Sequence, residues 1–520
     1  MAIPKKSPKP TKSFGTKFRT FLHAEYKTVL FMLFFFVLNA SFFAMAYIRY
    51  GASLSDPLFV ILSSIMLLAN IALCGFLFFA KAHTWPIEKI FLVVGTSLGF
   101  IFLFAIPMGR APDEPAHIWK VYSVAQGNLL TETRDEKNGT LLPDNLTTFG
   151  NTYVKDAYNQ IADRLLEPTS NNQVFQEIIG SNPIDYIPQI IGVIIGRILN
   201  LPVTITLYLA RFCGFAFCII ILYFCLKYIP ILKKPLFFLS CLPLSMQTFV
   251  SISYDGVIFC SAIALFTFIL YSIHQVKFKL NIQHYLLLIV LSILLVAVKP
   301  VYFPLCLLLF FIPNRCFKNK KQKILTTLSI LILTMGFFLL WSALSVAAQP
   351  GNGADSGGQI SYILAHPIHY IVILIRNILD MPFLYLQRLG ALEWLDASTN
   401  HFYIISTLIM FIVLCINEYL IPTKNKISKN FRIATLITSL SSIVLVFTAL
   451  YIQWTPVGAF EIEGVQTRYL LPIAITFPLL FISHSNTTPS RKKLIRSIYL
   501  YSFMIFLNFN AISVLICIHS

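Results

Sequence analysis

Charge is scarce in this chain. Of its 520 residues only 12% are Asp, Glu, Lys or Arg, roughly half the ~25% usual for a soluble domain. Hydrophobic residues make up 57% and the mean hydropathy is +0.74, so a soluble fold of this size could not bury its apolar surface. Long apolar runs flanked by Lys and Arg identify a polytopic membrane protein. Acids are fewer than bases, 22 against 40, giving a net charge of +18. The bases sit in short loops between apolar runs and form no single stripe, which excludes a nucleic-acid surface. None of the ten cysteines forms a CxxC pair or falls in the one large polar segment, which excludes a disulfide scaffold and a cysteine metal site. HExxH and Ser-His-Asp signatures are missing too. The Gly-rich patch Gly351–Gly358 lacks the Lys-Ser/Thr ending of a phosphate loop and reads as a flexible loop. No fixed-period repeat and no inverted pair of interrupted spans is visible.

What is present is a series of apolar segments. The first, 28–48, is of spanning length without a small-residue cleavage site, so a signal peptide is not expected. Thirteen spans are predicted: 28–48, 57–80, 90–107, 203–227, 235–251, 255–273, 284–298, 301–313, 324–346, 401–421, 432–451, 469–483 and 497–517. Several fall short of the ~20 residues that cross a bilayer, and the pair around Lys299-Pro300 reads equally as broken helices or a buried hairpin. Placing the basic tail 1–27 in the cytoplasm puts 27 of the 40 Lys and Arg on the inner side, as the positive-inside rule asks. The frame divides the chain into the tail, spans over 28–107, an outer segment 108–202, a bundle 203–346, an outer segment 347–400 and spans over 401–520. The expected fold class is all-α.

The segment 108–202 carries ten acids between Asp113 and Glu177. Within it AHIWKVYSVAQG places Ile118, Val121, Tyr122 and Ala125 on one helical face, with Pro115 suited to the first turn and Gly127 to the stop. IPQIIGVIIGRILN puts Ile187, Ile190, Ile191, Ile194, Ile195 and Ile198 on one stripe, and HPIHYIVILIRNILD over 366–380 is similar. Counting either as a crossing would invert the downstream charge bias, so each is read as a helix lying on the membrane.

Candidate chemistry starts at Pro112-Asp113-Glu114-Pro115-Ala116-His117. Two carboxylates and an imidazole at the membrane surface suit a general base or a phosphate-directed divalent metal such as Mg or Mn. The same acids also suit the cap of the helix that they precede. Cations form the second group: Arg211, Lys299, Arg388 and Arg468, at or near the outer ends of spans. Each can hold phosphate or snorkel to lipid headgroups. Ser253-Tyr254-Asp255-Gly256, Leu392-Glu393-Trp394-Leu395-Asp396 and Gln466-Thr467-Arg468-Tyr469 form the third. Trp394, Trp454 and the tyrosines suit either a sugar-stacking role or an interfacial aromatic belt.

PDEPAHIWKVYSVAQGNL, NPIDYIPQIIGVIIGRILNLP with LYLARF, SYDGVIF, KPVYFPL, HPIHYIVILIRNIL, LGALEWLD and GVQTRYLLPI occur in this order. From about residue 90 to 484 the chain thereby resembles the bacterial membrane family labelled domain of unknown function 2142. Thr467 and Glu393 stand where that family is expected to carry Gly. The family in turn looks like the GT-C class of glycosyltransferases, in which an early outer loop carries a catalytic acid, followed by an amphipathic helix and an Arg-bearing span.

That resemblance implies sugar transfer from a polyprenyl-phosphate carrier to an envelope glycan or lipid-linked acceptor, on the outer face of the bacterial cell membrane. Asp113 and Glu114 would be catalytic, or hold the metal if there is one. His117, Tyr186, Arg211, Asp255, Lys299, Trp394, Asp396, Gln466, Arg468 and Tyr469 would bind substrate. A transporter or flippase of lipid-linked sugars, and a non-catalytic scaffold for envelope assembly, are the alternatives. The absence of a mid-membrane charge pair and of repeats argues against transport.

Overall fold

The computed structural model describes residues 84–134, 137–149, 161, 163–178, 180–345, 354–384 and 427–481, with a few positions between 72 and 80. In chain order the acidic segment is entered through helix α1 (Ile87–Ala105). Helix α2 (Glu114–Ala125) follows, then strands β1 (Glu132–Arg134), β2 (Lys137–Pro143) and β3 (Gln173–Glu177), and helix α3 (Ile187–Ile198). Next come α4 (Val203–Tyr228), α5 (Lys233–Ser240), α6 (Pro243–Val250), α7 (Asp255–His274), α8 (Ile282–Val296) and the short α9 (Phe303–Cys306). The remaining elements are α10 (Lys320–Leu344), α11 (Ser356–Ala365), α12 (Pro367–Leu384), α13 (Lys429–Gln453), α14 (Leu471–Ala474) and α15 (Pro478–Phe481).

The expectation of about thirteen spans is corrected. Among the described residues five helices, α1, α4, α7, α10 and α13, are long and apolar enough to cross a membrane, or six if α11 and α12, bent by 108°, count as one. The expected spans 28–48, 57–80, 401–421 and 497–517 lie wholly or mostly outside the described residues. The others that fall short have visible causes. Segment 235–251 is two eight-residue helices, because Pro243 cannot donate the hydrogen bond that would carry α5 onward. Segment 301–313 alternates 3-10 and α turns around Pro300 and Pro304, and 469–483 does the same around Pro472 and Pro478. Segment 284–298 is the 15-residue α8.

The fold is mostly helical and not all-α: β1, β2 and β3 make a three-stranded antiparallel sheet in that order. Its register sets Glu132 against Gly139 and Leu142 against Val174. Leu142 is buried, and so are Leu146 and Phe149 just beyond it, in a cluster with Ile118, Val121 and Tyr122 of α2. This cluster fixes α2, whose polar Glu114, His117, Lys120 and Ser123 are as inaccessible as its apolar face. A helix lying on a surface would not bury them.

Helix α3 also departs from its simple pattern. Its isoleucines 187, 191, 194, 195 and 198 face outward, while Gln189, Ile190, Gly192, Val193 and Gly196 are buried. A Cβ on Gly192 would lie 2.5 Å from the Ala210 Cα, and one on Gly196 would lie 2.6 Å from the Thr206 side chain. The glycine side therefore packs closely on α4, the small-residue mode of helix contact in membranes. Helix α12 likewise exposes Ile368, Ile371, Val372, Ile375 and Leu379, and Tyr370 reaches Thr448 of α13 at 2.6 Å.

Contacts along the bundle define two ends. At one, Lys233 pairs with Glu88 and Lys279 donates to the Arg315 carbonyl. At the other, residues 106–117, Arg211, 252–255, Lys299 and 467–469 converge beside the sheet.

Candidate functional site

Asp113 and Glu114 adjoin in sequence and point to different partners. Glu114 opens α2 and turns inward. Its Oε1 accepts from Arg211 Nε at 2.8 Å and from the Ile252 amide at 2.9 Å. Its Oε2 accepts from Arg211 Nη2 at 2.5 Å and from the Gly109 amide at 2.9 Å. Arg211 Nη1 donates to the Ile106 carbonyl at 2.6 Å, and Nη2 to that of Pro107 at 3.0 Å. Both side chains have 0% exposure. The pair ties the end of α1, the start of α2, helix α4 and the 251–254 turn together.

Two expectations are thereby corrected. Glu114 is not placed as a base, because its oxygens are enclosed and already accept five hydrogen bonds, the fifth from the Ala111 amide, and Arg211 is not placed to hold a substrate phosphate, because its fork closes on Glu114. The donor set does not suit a divalent metal at Asp113 and Glu114 either, since Glu114 has no lone pair directed outward and Asp113 faces a cation. Among the described residues no group of three or more His, Cys, Asp and Glu could hold a metal ion.

Asp113 occupies the cap position of α2 in the left-handed region, φ 58° and ψ 7°, with no side-chain cap bond. The capping reading therefore fails on geometry. Its carboxylate instead turns to Arg468, with Oδ2 2.5 Å from Nη2. Arg468 opens the 3-10 turn Thr467–Leu470, and its Nε lies 3.0 Å from Asp255 Oδ2. Asp255, the first residue of α7, holds Lys299 through Oδ1 at 2.5 Å and faces the Ser253 hydroxyl at 3.2 Å. Lys299 lies 4.9 Å from the Tyr254 ring centre and 4.0 Å from that of Tyr469, a cation–π setting. Tyr469 is fixed in turn by the Tyr302 hydroxyl, which donates to its carbonyl at 2.8 Å. The result is an alternating chain of four charges, Asp113, Arg468, Asp255 and Lys299. Only Asp113 is substantially open, at 38% exposure.

Beside this chain is a small polar pocket lined by Pro112, Leu244, Gln247, Thr248, Ser251, Ser253, Asp255 and Arg468. Sequence reasoning missed Gln247, Thr248 and Ser251. Their signal was the run of hydroxyl and amide side chains inside an apolar segment, LSMQTFVSIS, where polar groups are costly unless engaged.

Beneath the charges lie His117 and Tyr186. His117 Nδ1 and the Tyr186 hydroxyl are 2.7 Å apart, and Tyr254 meets both rings edge-on. His117 is 2% exposed and its Nε2 has no hydrogen-bond partner. Burial pushes the imidazole down to about 4; Arg468 and Lys299 add to this, and Asp113 and Asp255 oppose it. The imidazole is neutral at pH 7. Asp185, noted only as part of the Asn182–Tyr186 element, is buried with neither carboxyl oxygen hydrogen-bonded. Burial, reinforced by Asp255, raises its carboxyl well above the usual range. His117 and Tyr186 thus support the site from below and are not open to a ligand. Gln466, half-buried at the start of the Arg468 turn, has an unpartnered Oε1. Arg388, Trp394 and Asp396 lie outside the described residues.

Residues 97–477 match the family described as "Predicted membrane protein (DUF2142)". No curated protein and no solved structure shows significant similarity to the chain. The family match covers most of the sequence and takes in α2, the 251–255 turn, Lys299 and Arg468, and the apolar bundle between them fits its description. The chain is a multi-pass membrane protein that belongs to the DUF2142 family.

Proposed function

We propose that the chain is a glycosyltransferase of the bacterial cell membrane, with a cytoplasmic N-terminus. It moves a sugar from a polyprenyl-phosphate carrier to a cell-envelope glycan or lipid-linked acceptor on the outer face. The observation that carries this reading is the pairing of an accessible carboxylate, Asp113, with Arg468, beside a polar pocket at the end of an apolar bundle. Asp113 accepts the proton of the acceptor hydroxyl, whose oxygen forms the new bond to the sugar's anomeric carbon. The bond from that carbon to the phosphate oxygen breaks, and its electron pair leaves with the polyprenyl phosphate. Arg468 and Lys299 offset the charge on that leaving group. Placement and charge neutralisation supply much of such a rate, since lipid phosphate is a fair leaving group. The isoprenoid tail lies along the apolar flanks of the bundle. The likeness to GT-C enzymes supports the reading through the order of acidic loop and amphipathic helix. It does not extend to the Arg-bearing span, whose Arg211 is occupied by Glu114.

The test is mass spectrometry of lipid-linked and surface glycans from a deletion strain complemented with wild type or Asp113→Asn. A sugar missing from the deletion and from the Asp113→Asn strain, and restored by wild type, is expected. An unchanged glycan profile in the deletion strain would remove the reading. Transfer by purified protein in detergent separates catalysis from transport, because no membrane then divides two sides.

A further inference from the structure

The chain of four charges is balanced as it stands. Arg468 and Lys299 together offer two positive charges, and Asp113 and Asp255 supply two negative ones. A phosphate arriving at Arg468 thus meets a carboxylate already on the guanidinium. The two carboxylates are not held alike. Asp255 is buried at the head of α7, with Lys299, the Ser253 hydroxyl and Arg468 around it. Asp113 is 38% exposed and joined through one oxygen to one nitrogen of Arg468. It also sits on a left-handed backbone with no cap bond to hold its side chain. Of the two, Asp113 is the one that an incoming anion can displace, while Asp255 keeps the guanidinium in place through Nε.

We infer that a prenyl phosphate binds by exchange, taking Arg468 from Asp113 and so releasing the Asp113 carboxylate to act as the base. The inference rests on the reading above, and makes Asp255 a positioning residue that aims the fork of Arg468. A carboxylate oxygen that already accepts from a guanidinium is not free to accept from an acceptor hydroxyl. Exchange therefore couples donor arrival to base activation. Without donor, Asp113 stays latched. With donor, the phosphate takes the fork, which suits it geometrically, and the carboxylate is freed next to the bond that is to be broken.

Exchange has a signature that an ordinary ion pair lacks: removing Asp113's charge should strengthen phosphate binding while it slows turnover. The full-length protein in detergent micelles is titrated with farnesyl phosphate, with farnesol and with inorganic phosphate. Asp113→Asn is expected to bind farnesyl phosphate on the order of 10-fold tighter than wild type, within the usual range of coupling between two ligands. Farnesol affinity should not change, and inorganic phosphate should compete weakly if the lipid is the source. Asp255→Asn should weaken farnesyl phosphate binding, since it unseats the fork. Equal or weaker binding of farnesyl phosphate by Asp113→Asn overturns the exchange, and so does its failure to bind either protein. Tighter binding without any sugar transfer by wild type would leave the exchange standing and remove the glycosyltransferase reading. Transfer with unchanged affinity would do the reverse.

Discussion

Asp113 and Glu114 share a dipeptide and have opposite environments. Glu114 closes with Arg211 into a pair with no solvent exposure and with backbone groups filling its remaining lone pairs. Asp113, one residue earlier, opens toward Arg468 and a polar pocket. A buried, fully bonded ion pair acts as a clamp, while the half-open pair is the one proposed to exchange partners. Carboxylate chemistry is the same in both. Enclosure decides what it does.

The strongest way to break this comparison is at the clamp. Glu114→Gln leaves the Arg211 guanidinium buried without its counter-charge, and losing one partner of such a pair costs about 3–5 kcal/mol. Poor insertion or a sharply lowered unfolding temperature in detergent is expected, and Arg211→Ala should behave likewise. Wild-type stability in Glu114→Gln would mean that the clamp carries no weight.

Asp113→Asn is the contrasting case. Asn also tolerates the left-handed backbone, and Arg468 keeps Asp255 as a counter-charge, so folding should hold near wild type. Loss of a general base costs ~10²-fold or more in rate. A variant that folds and still completes the glycan at normal speed would return Asp113 to a structural role.

Arg468→Lys sharpens the open side. Lys keeps the charge and loses the fork that reaches Asp113 and Asp255 together. Removing a charge-assisted bond costs about 1.5–3 kcal/mol, so donor use should fall by roughly 10-fold or more in Arg468→Ala and recover only in part in Arg468→Lys. Donor dependence measured across the three proteins decides this, and full recovery with Lys would show that charge alone suffices.

At neutral pH the mildest effect is that of His117, which shows itself only as a pH slope. Its folded-state value of about 4 lies below the ~6.5 of a free imidazole, so the unfolded chain binds the extra proton first. Its contribution to stability is present above pH ~6.5 and is lost as pH falls toward 4, at up to about 1.4 kcal/mol per pH unit. His117→Gln should flatten that part of the stability profile between pH 7 and 4. A wild-type profile with no slope in this window would show that the imidazole is not held neutral.

Several features were legible in the residues themselves. Pro115 and Gly127 bracket α2 closely, and Gly127 takes φ 102° past its end. Five of the expected spans appear as long apolar helices, because a stretch with few charges and full length has no other way to satisfy its backbone in a bilayer. Lys299 and Arg468 drew attention as ionisable groups near the ends of such spans, where charge is costly, Asp113 through its place in the run Pro112–His117, and Asp255 in the run Ser253–Gly256. Periodicity could not show which side of α3 would pack, since the isoleucine stripe and the glycine side are equally regular and only the close approach of α4 selects the glycines. Proline-broken segments such as 235–251 and 301–313 look like spans to a hydropathy window, which averages over the break. The β-sheet escaped because its strands are short and mostly polar on their exposed sides.

Membrane residence and the inventory of charged side chains were thus determined by the sequence alone, since both follow from composition and local order. Which carboxylate meets which cation was decided only by the tertiary structure. Arg468 lies 355 positions from Asp113, and Arg211 lies 97 from Glu114. The turn at Gly109 and Asp113, both with positive φ, sends neighbouring acids in opposite directions. Ion pairing depends on distance and enclosure in space, and neither is written in the spacing along the chain.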